Sequence, residues 1–191
     1  MRSAWTSDSH PIRVDFLDAT VVAPPGRLGM TFAPGKQHSG RTAEWRRDLP
    51  KDLARLRGEY RTDVLVSLVE DHELAAVKIP LLVEGARAVG IETVRFPIVD
   101  VSIPREMPPV LALVERLVSD LRAGRVVVVH CMGGLGRTGL IAGCVAVALG
   151  RTAKDAVIQV RAARNGTIET REQERFVHVF DSAFRACHAT G

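Results

Sequence analysis

Apolar residues along this chain fall alternately into short runs and helical stripes. IRVDFLDATVV (12–22) and RLGMTFAP (27–34) read as two early strands, parted by the turn signal Pro24-Pro25-Gly26. Gly35–Thr42 reads as a loop. Asp48 is placed to cap a helix with Pro50 in its first turn, running to Arg57 and ended by Gly58. Asp63–Val69 (DVLVSLV) is a short apolar strand, and the polar turn EDHE (70–73) follows it. Pro80–Val89 is a short amphipathic helix closed by Gly90. Glu92–Ile98 is a strand that runs into the loop VDVSIP (99–104).

The second half of the chain has the clearer periodicity. Pro108–Arg122 carries Val110, Leu113, Val114, Leu117, Val118 and Leu121 at helical spacing, and Gly124 ends it. Arg125–His130 is apolar at successive positions, the mark of a strand covered on both faces. Thr138–Leu149 is apolar nearly all round, so it is expected at the centre. Thr152 caps a helix to about Arg164. Thr170 with Gln173 forms a capping box for a last helix to about His188. Alternation of strand and helix predicts a single α/β domain over residues 12–188, with a central, mostly parallel sheet flanked by helices. Residues 1–11 are polar and expected to be flexible. In such sheets ligands bind beyond the carboxyl ends of the strands, so the loops 70–73, 99–104 and 131–137 are expected on one rim.

Composition adds limits. The chain has 191 residues, 46% hydrophobic and 25% charged, which suits one soluble domain. The formal charge of +4 is spread thinly, with no basic block of the kind that binds nucleic acid or a membrane surface. Lysine occurs only as Lys36, Lys51, Lys78 and Lys154. No run approaches the ~18–20 apolar residues of a membrane span, and the first residues lack a signal-peptide core. Cys131, Cys144 and Cys187 form no C-x-x-C pair, so neither a disulfide framework nor a zinc site is expected. A reducing cytoplasm follows as the expected location. No cofactor, metal or obligate partner is called for.

The chemistry is concentrated in VVVVHCMGGLGRTG (126–139). Cys131 and Arg137 stand six positions apart, enclosing Met132, Gly133, Gly134, Leu135 and Gly136. Three glycines in five let successive N–H groups turn inward as an anion-binding nest. A helix beginning near Arg137 adds the partial positive charge of its first turn. The guanidinium offers a fork for two oxygens of a tetrahedral dianion. A thiol at the base of that cradle is in surroundings that favour the thiolate. Thr138 is placed to give the sulfur a hydroxyl hydrogen bond, and His130 to orient the loop rather than act as a base.

HCMGGLGRTG resembles the H-C-x5-R-[ST]-G signature of cysteine-based protein tyrosine phosphatases. RLGMTFAPGK, FPIVDVSIP and NGTIETREQERF extend the resemblance to the dual-specificity branch, towards the kinase-associated (cyclin-dependent kinase inhibitor 3-like) phosphatase group and its bacterial relatives. Together these segments span residues 27–176. The resemblance implies a dual-specificity phosphatase-like fold and hydrolysis of phosphotyrosine, with phosphoserine and phosphothreonine as further targets. It implies a two-step route through phosphocysteine. Cys131 attacks phosphorus, while Arg137 and the loop amides hold the oxygens. Asp100, 31 residues before Cys131 in FPIVDVSIP, matches the general-acid position. Gln173 is a candidate for placing the hydrolytic water, or a capping residue alone.

Other readings stand beside this one. Asp71 and Glu73 are rival acids on the same rim, and Asp100 also fits a plain turn residue. Gly134, Gly136 and Gly139 fit the letters of a dinucleotide-binding turn, which leaves Cys131 unexplained; the Walker pattern lacks its lysine. A phosphoinositide or small-molecule phosphatase is the alternative within the enzyme class, although Met132, Gly133 and Leu135 stand where lipid-specific members often carry lysines. A phospho-ligand binding module with vestigial activity is the alternative outside it. In each case the partner is a phosphorylated protein or another phosphomonoester.

Overall fold

The computed structural model describes residues 4–40 and 43–188. In chain order the first half comprises β1 (Ala4–Thr6), β2 (Asp15–Phe16), β3 (Arg27–Phe32), β4 (Gln37–Ser39), β5 (Glu44–Arg46), α1 (Leu49–Gly58) and β6 (Val64–Ser67). There follow α2 (Asp71–Ala76), α3 (Leu82–Ala88), β7 (Glu92–Arg95), α4 (Met107–Arg122), β8 (Val126–Cys131), α5 (Gly136–Ala148), α6 (Ala153–Ala163) and α7 (Arg171–His188).

Five strands form the central sheet in the order β2-β3-β8-β6-β7. The pairs β3–β8, β8–β6 and β6–β7 are parallel, and only the edge strand β2 runs antiparallel. β8 shows why its sequence is apolar throughout. Val127, Val129 and Cys131 pack into one core with α4–α7, while Val126 and Val128 pack into a second with α1–α3. β6 divides the same way, Val64 and Val66 facing one core and Leu65 the other. Each such side chain contributes roughly 1.5–3 kcal/mol by leaving water. The result is a helix–sheet–helix sandwich, as the alternating pattern predicts.

Helix α5 is buried from Gly136 to Val147, in line with its all-apolar face. It lies against α4, α6 and α7, and its first turn packs closely on Thr167–Glu169 and Gln173. The N-cap of α1 is Asp48, whose side chain accepts from the Lys51 amide, as expected.

Three stretches differ from the sequence expectations. The run 12–22 forms a strand only at Asp15–Phe16, although Ile12, Val14, Leu17, Val21 and Val22 are buried. The expected turn 70–73 is the start of α2, with Glu70 and Glu73 closing a capping box. A second, three-stranded sheet of order β1-β5-β4 occupies stretches expected to be loop or flexible chain. Its β1 is parallel to β5 with Trp5 opposite Trp45. The expected flexibility of residues 1–3 lies outside the described residues, as do 41–42 of the expected loop.

Because β3, β6, β7 and β8 are parallel, their carboxyl ends share one edge. The segments after them, 33–36, 68–73, 96–106 and 132–135, therefore converge there.

Candidate active site

Cys131 ends β8 and is buried, with 4% of its surface exposed. The chain then turns through Met132–Leu135 into α5. Gly134 sits at φ +72, and a Cβ there would lie 2.3 Å from the carbonyl oxygen of Thr31. Gly136 is also forced: a Cβ would meet Glu169 Oε2 at 2.5 Å and Gln173 Nε2 at 2.8 Å. Two of the loop's glycines thus answer to steric demands of their neighbours. Among the described residues, the backbone N–H groups of Gly133, Gly134, Leu135, Gly136 and Arg137 donate no hydrogen bond. That is the unpaired row of donors an anion nest requires.

Arg137 is 1% exposed and is paired through both of its Nη atoms. Its Nη1 donates to Glu73 Oε2 at 2.7 Å and to the Ile98 carbonyl at 2.9 Å. Its Nη2 donates to Glu73 Oε1 at 2.9 Å and lies 2.7 Å from Asp100 Oδ1. Burial works against the guanidinium's charge, yet Glu73 and the neighbouring acids outweigh it and hold the group above its ordinary range. Glu73, a rival acid by sequence, is thus paired with Arg137, and its Oε2 also accepts from the Glu70 amide at 3.0 Å. Asp71 points elsewhere, to Arg95 at 2.7 Å, and is nearly fully exposed.

Asp100 is on the same rim, as its position after β7 predicts, and is 63% exposed on its side chain. The next residue, Val101, stands at φ +57. A β-branched side chain is strained there, and strain of this kind gathers at functional loops. Gln173 is fully buried and does two things. Its Oε1 accepts from the amides of Glu169 and Thr170, completing the expected cap, and its Nε2 donates to the Ser102 carbonyl at 3.3 Å. It therefore ties the loop of Asp100 to the start of α7, beside Gly136.

His130 is buried, and its Nδ1 lies 3.3 Å from the Cys131 carbonyl. Burial pushes the imidazole down to about 4, so it is neutral near pH 7. A neutral ring bonded to the loop backbone suits the orienting role. Thr138 departs from expectation: its buried hydroxyl makes no hydrogen bond among the described residues, to the sulfur or otherwise. Cys144 is enclosed in the core, where burial pushes its thiol up.

Two basic residues escaped the sequence reading. Lys36, 3% exposed, donates from Nζ to the Met132 carbonyl at 3.0 Å and lies 3.7 Å over the Trp45 ring. Arg164, just past α6, donates from Nε to the Gly134 carbonyl at 2.7 Å and from Nη2 to the Gly133 carbonyl at 3.2 Å. The one sequence signal for Lys36 is a lysine in a chain whose basic residues are mostly arginine.

This sheet order, with a cysteine, an amide nest and an arginine at its carboxyl edge, is the protein tyrosine phosphatase-like fold of the dual-specificity type. A crystal structure of kinase associated phosphatase with its catalytic-site cysteine replaced by serine superposes at a TM-score of 0.81. That match has 26% identity over 92% of this chain and 97% of that one. Tk-PTP in its active form matches at 0.69 with 26% identity, over 88% and 96% of the two chains. The chain belongs to the cyclin-dependent kinase inhibitor 3 family, whose model matches residues 4–157. Cyclin-dependent kinase inhibitor 3 of Rattus norvegicus is 30% identical over 176 residues, 91% of this chain and 80% of the relative. No helix among the described residues is long and apolar enough to cross a membrane.

Proposed function

We propose that this chain hydrolyses phosphomonoesters on proteins, phosphotyrosine first and phosphoserine or phosphothreonine as well, through a phosphocysteine on Cys131. The observation that carries this is the unpaired row of amides from Gly133 to Arg137 around a cysteine, closed by a guanidinium that Glu73 holds in one orientation. Such donors suit the equatorial oxygens of a phosphoryl group, and they stabilise charge that grows during transfer.

The steps follow from this arrangement. The Cys131 thiolate attacks phosphorus, forming the S–P bond as the bond to the ester oxygen breaks. Asp100 protonates the departing oxygen. Asp100 then takes a proton from water, whose oxygen attacks phosphorus and releases phosphate and the thiolate. Gln173, tied to the Asp100 loop through Ser102, helps place that water. Since Asp100 rests on Arg137 Nη2, phosphate binding exchanges one anion for another on that nitrogen and frees the carboxyl to meet the leaving oxygen. Val99 and Val101 flank Asp100 in exposed positions, an apolar lip suited to an aryl ring. We place the chain in a reducing compartment, the cytoplasm, from the spacing of its three cysteines.

The test is turnover of a panel of phosphotyrosine, phosphothreonine and phosphoinositide substrates in EDTA. Phosphotyrosine peptide should be cleaved by wild type and left intact by Cys131→Ser. Undiminished activity in that variant, or full loss in chelator, overturns the reading. Preference for the phosphoinositide transfers the site to lipid substrates. Stable binding of phosphopeptide without phosphate release assigns it to a binding module.

A further inference from the structure

Three successive carbonyls of the phosphate loop are each held by a cation on the loop's outer side. Lys36 Nζ takes Met132 O at 3.0 Å, with the Ala33 amide at 3.3 Å on the same oxygen. Arg164 takes Gly133 O at 3.2 Å and Gly134 O at 2.7 Å. In a trans peptide the N–H points opposite to the C=O of the same unit. Fixing the carbonyls of 132, 133 and 134 outward therefore turns the N–H groups of 133, 134 and 135 inward. These are three of the donors left unpaired in the nest.

Both cations are themselves anchored. Lys36 Nζ lies over two adjoining aromatic rings, 3.7 Å from the centroid of Trp45 and 5.0 Å from that of Phe32. Arg164 is held by Asp15 Oδ2 at 2.6 Å, on the edge strand β2. The small sheet supplies Trp45, and its partner Trp5 packs edge-on at 5.2 Å. A lysine buried against apolar rings costs desolvation energy that its single carbonyl bond does not fully return. Such a residue is explained by what it holds in place.

We propose that Lys36 and Arg164 are positioning residues, a two-cation clamp on the outer face of the phosphate loop that keeps its amides aimed at the substrate's phosphoryl oxygens. The proposal rests on the phosphatase reading of the loop. It assigns to the β1-β5-β4 sheet the task of seating Lys36.

Tungstate, a tetrahedral dianion, reads the clamp without catalysis. Calorimetric titration into wild type, Lys36→Met, Lys36→Arg and Arg164→Met should show roughly tenfold or greater loss in the two methionine variants. Lys36→Arg, which keeps the cation, should recover most of it. Turnover of an aryl phosphate should fall in parallel, well below each variant's melting temperature. Titration gives a second readout. Burial pushes Lys36 down to about 8, and the groups facing it are Cys131 on β8, Arg47 after β5, Arg164 after α6 and His38 on β4. The wild-type advantage over Lys36→Met should shrink as pH rises through about 8. If Lys36→Met does not fold, Arg164→Met decides alone, its side chain being less deeply placed. Wild-type tungstate affinity in folded Arg164→Met or Lys36→Met overturns the clamp. Wild type that binds tungstate with these ratios but releases no phosphate overturns the phosphatase reading and leaves the clamp standing.

Discussion

Glu73 and Arg137 meet prong to prong, Nη1 to Oε2 at 2.7 Å and Nη2 to Oε1 at 2.9 Å. Burial pushes the Glu73 carboxyl up, but Arg137 and the Glu70 amide pull it below its ordinary 4.5. Its contribution to stability is therefore full above that pH and is lost as pH falls further. Glu73→Ala leaves a buried guanidinium without its fork. It is expected to cost about 3 kcal/mol in denaturant unfolding. It should also raise KM for an aryl phosphate more than it lowers kcat, since the guanidinium loses its orientation before its charge. An unchanged KM would mean that Arg137 is aimed by something other than Glu73.

Asp100 holds two relationships, one with Arg137 at rest and one with the leaving oxygen in the proposed reaction. Asp100→Asn removes a competing anion from Nη2 and a proton from the chemistry. Tungstate should then bind more tightly than in wild type. Turnover of alkyl phosphates should fall by roughly 10²–10⁴-fold, and that of good aryl leaving groups far less. Equal slowing of both ester classes would assign the proton to another acid.

His130 gives a pH test. Burial pushes its imidazole down to about 4, from an ordinary 6.5. Between those values the unfolded chain holds more of the proton, so stability rises with pH across the window and falls as pH drops. At most about 3 kcal/mol is at stake. Urea midpoints of wild type and His130→Gln, compared at pH 7 and pH 4.5, should show the smaller acid loss in the variant. Matching losses would place the acid sensitivity elsewhere.

The parts of the fold that were legible in the sequence are those with strong local patterns. The four valines of β8, the stripe of α4 and the all-apolar α5 each forecast burial that the core then shows. Cys131, Arg137 and Asp100 were legible because a strand end and a glycine-rich turn are local signals, and the parallel sheet brings them to one rim. Helix α2 was not, since its six residues bury only Leu74 and begin on a glutamate cap. The small sheet has three-residue strands, too short to show alternation. Lys36 and Arg164 act through backbone carbonyls 96 and 30 residues away, and no residue type at the far end records such a contact. Glu73 was visible as an acid on the rim, but its bond to Arg137 spans 64 residues.

In the proposed reaction Cys131 carries the phosphoryl group. Acid quenching of an Asp100→Ala variant during aryl phosphate turnover, followed by peptide mass spectrometry, reads this directly. A phosphoryl group is expected on the peptide containing Cys131, absent when Cys131→Ser is added. Phosphate release by the active protein with that peptide never modified, or with the label on another residue, would contradict it.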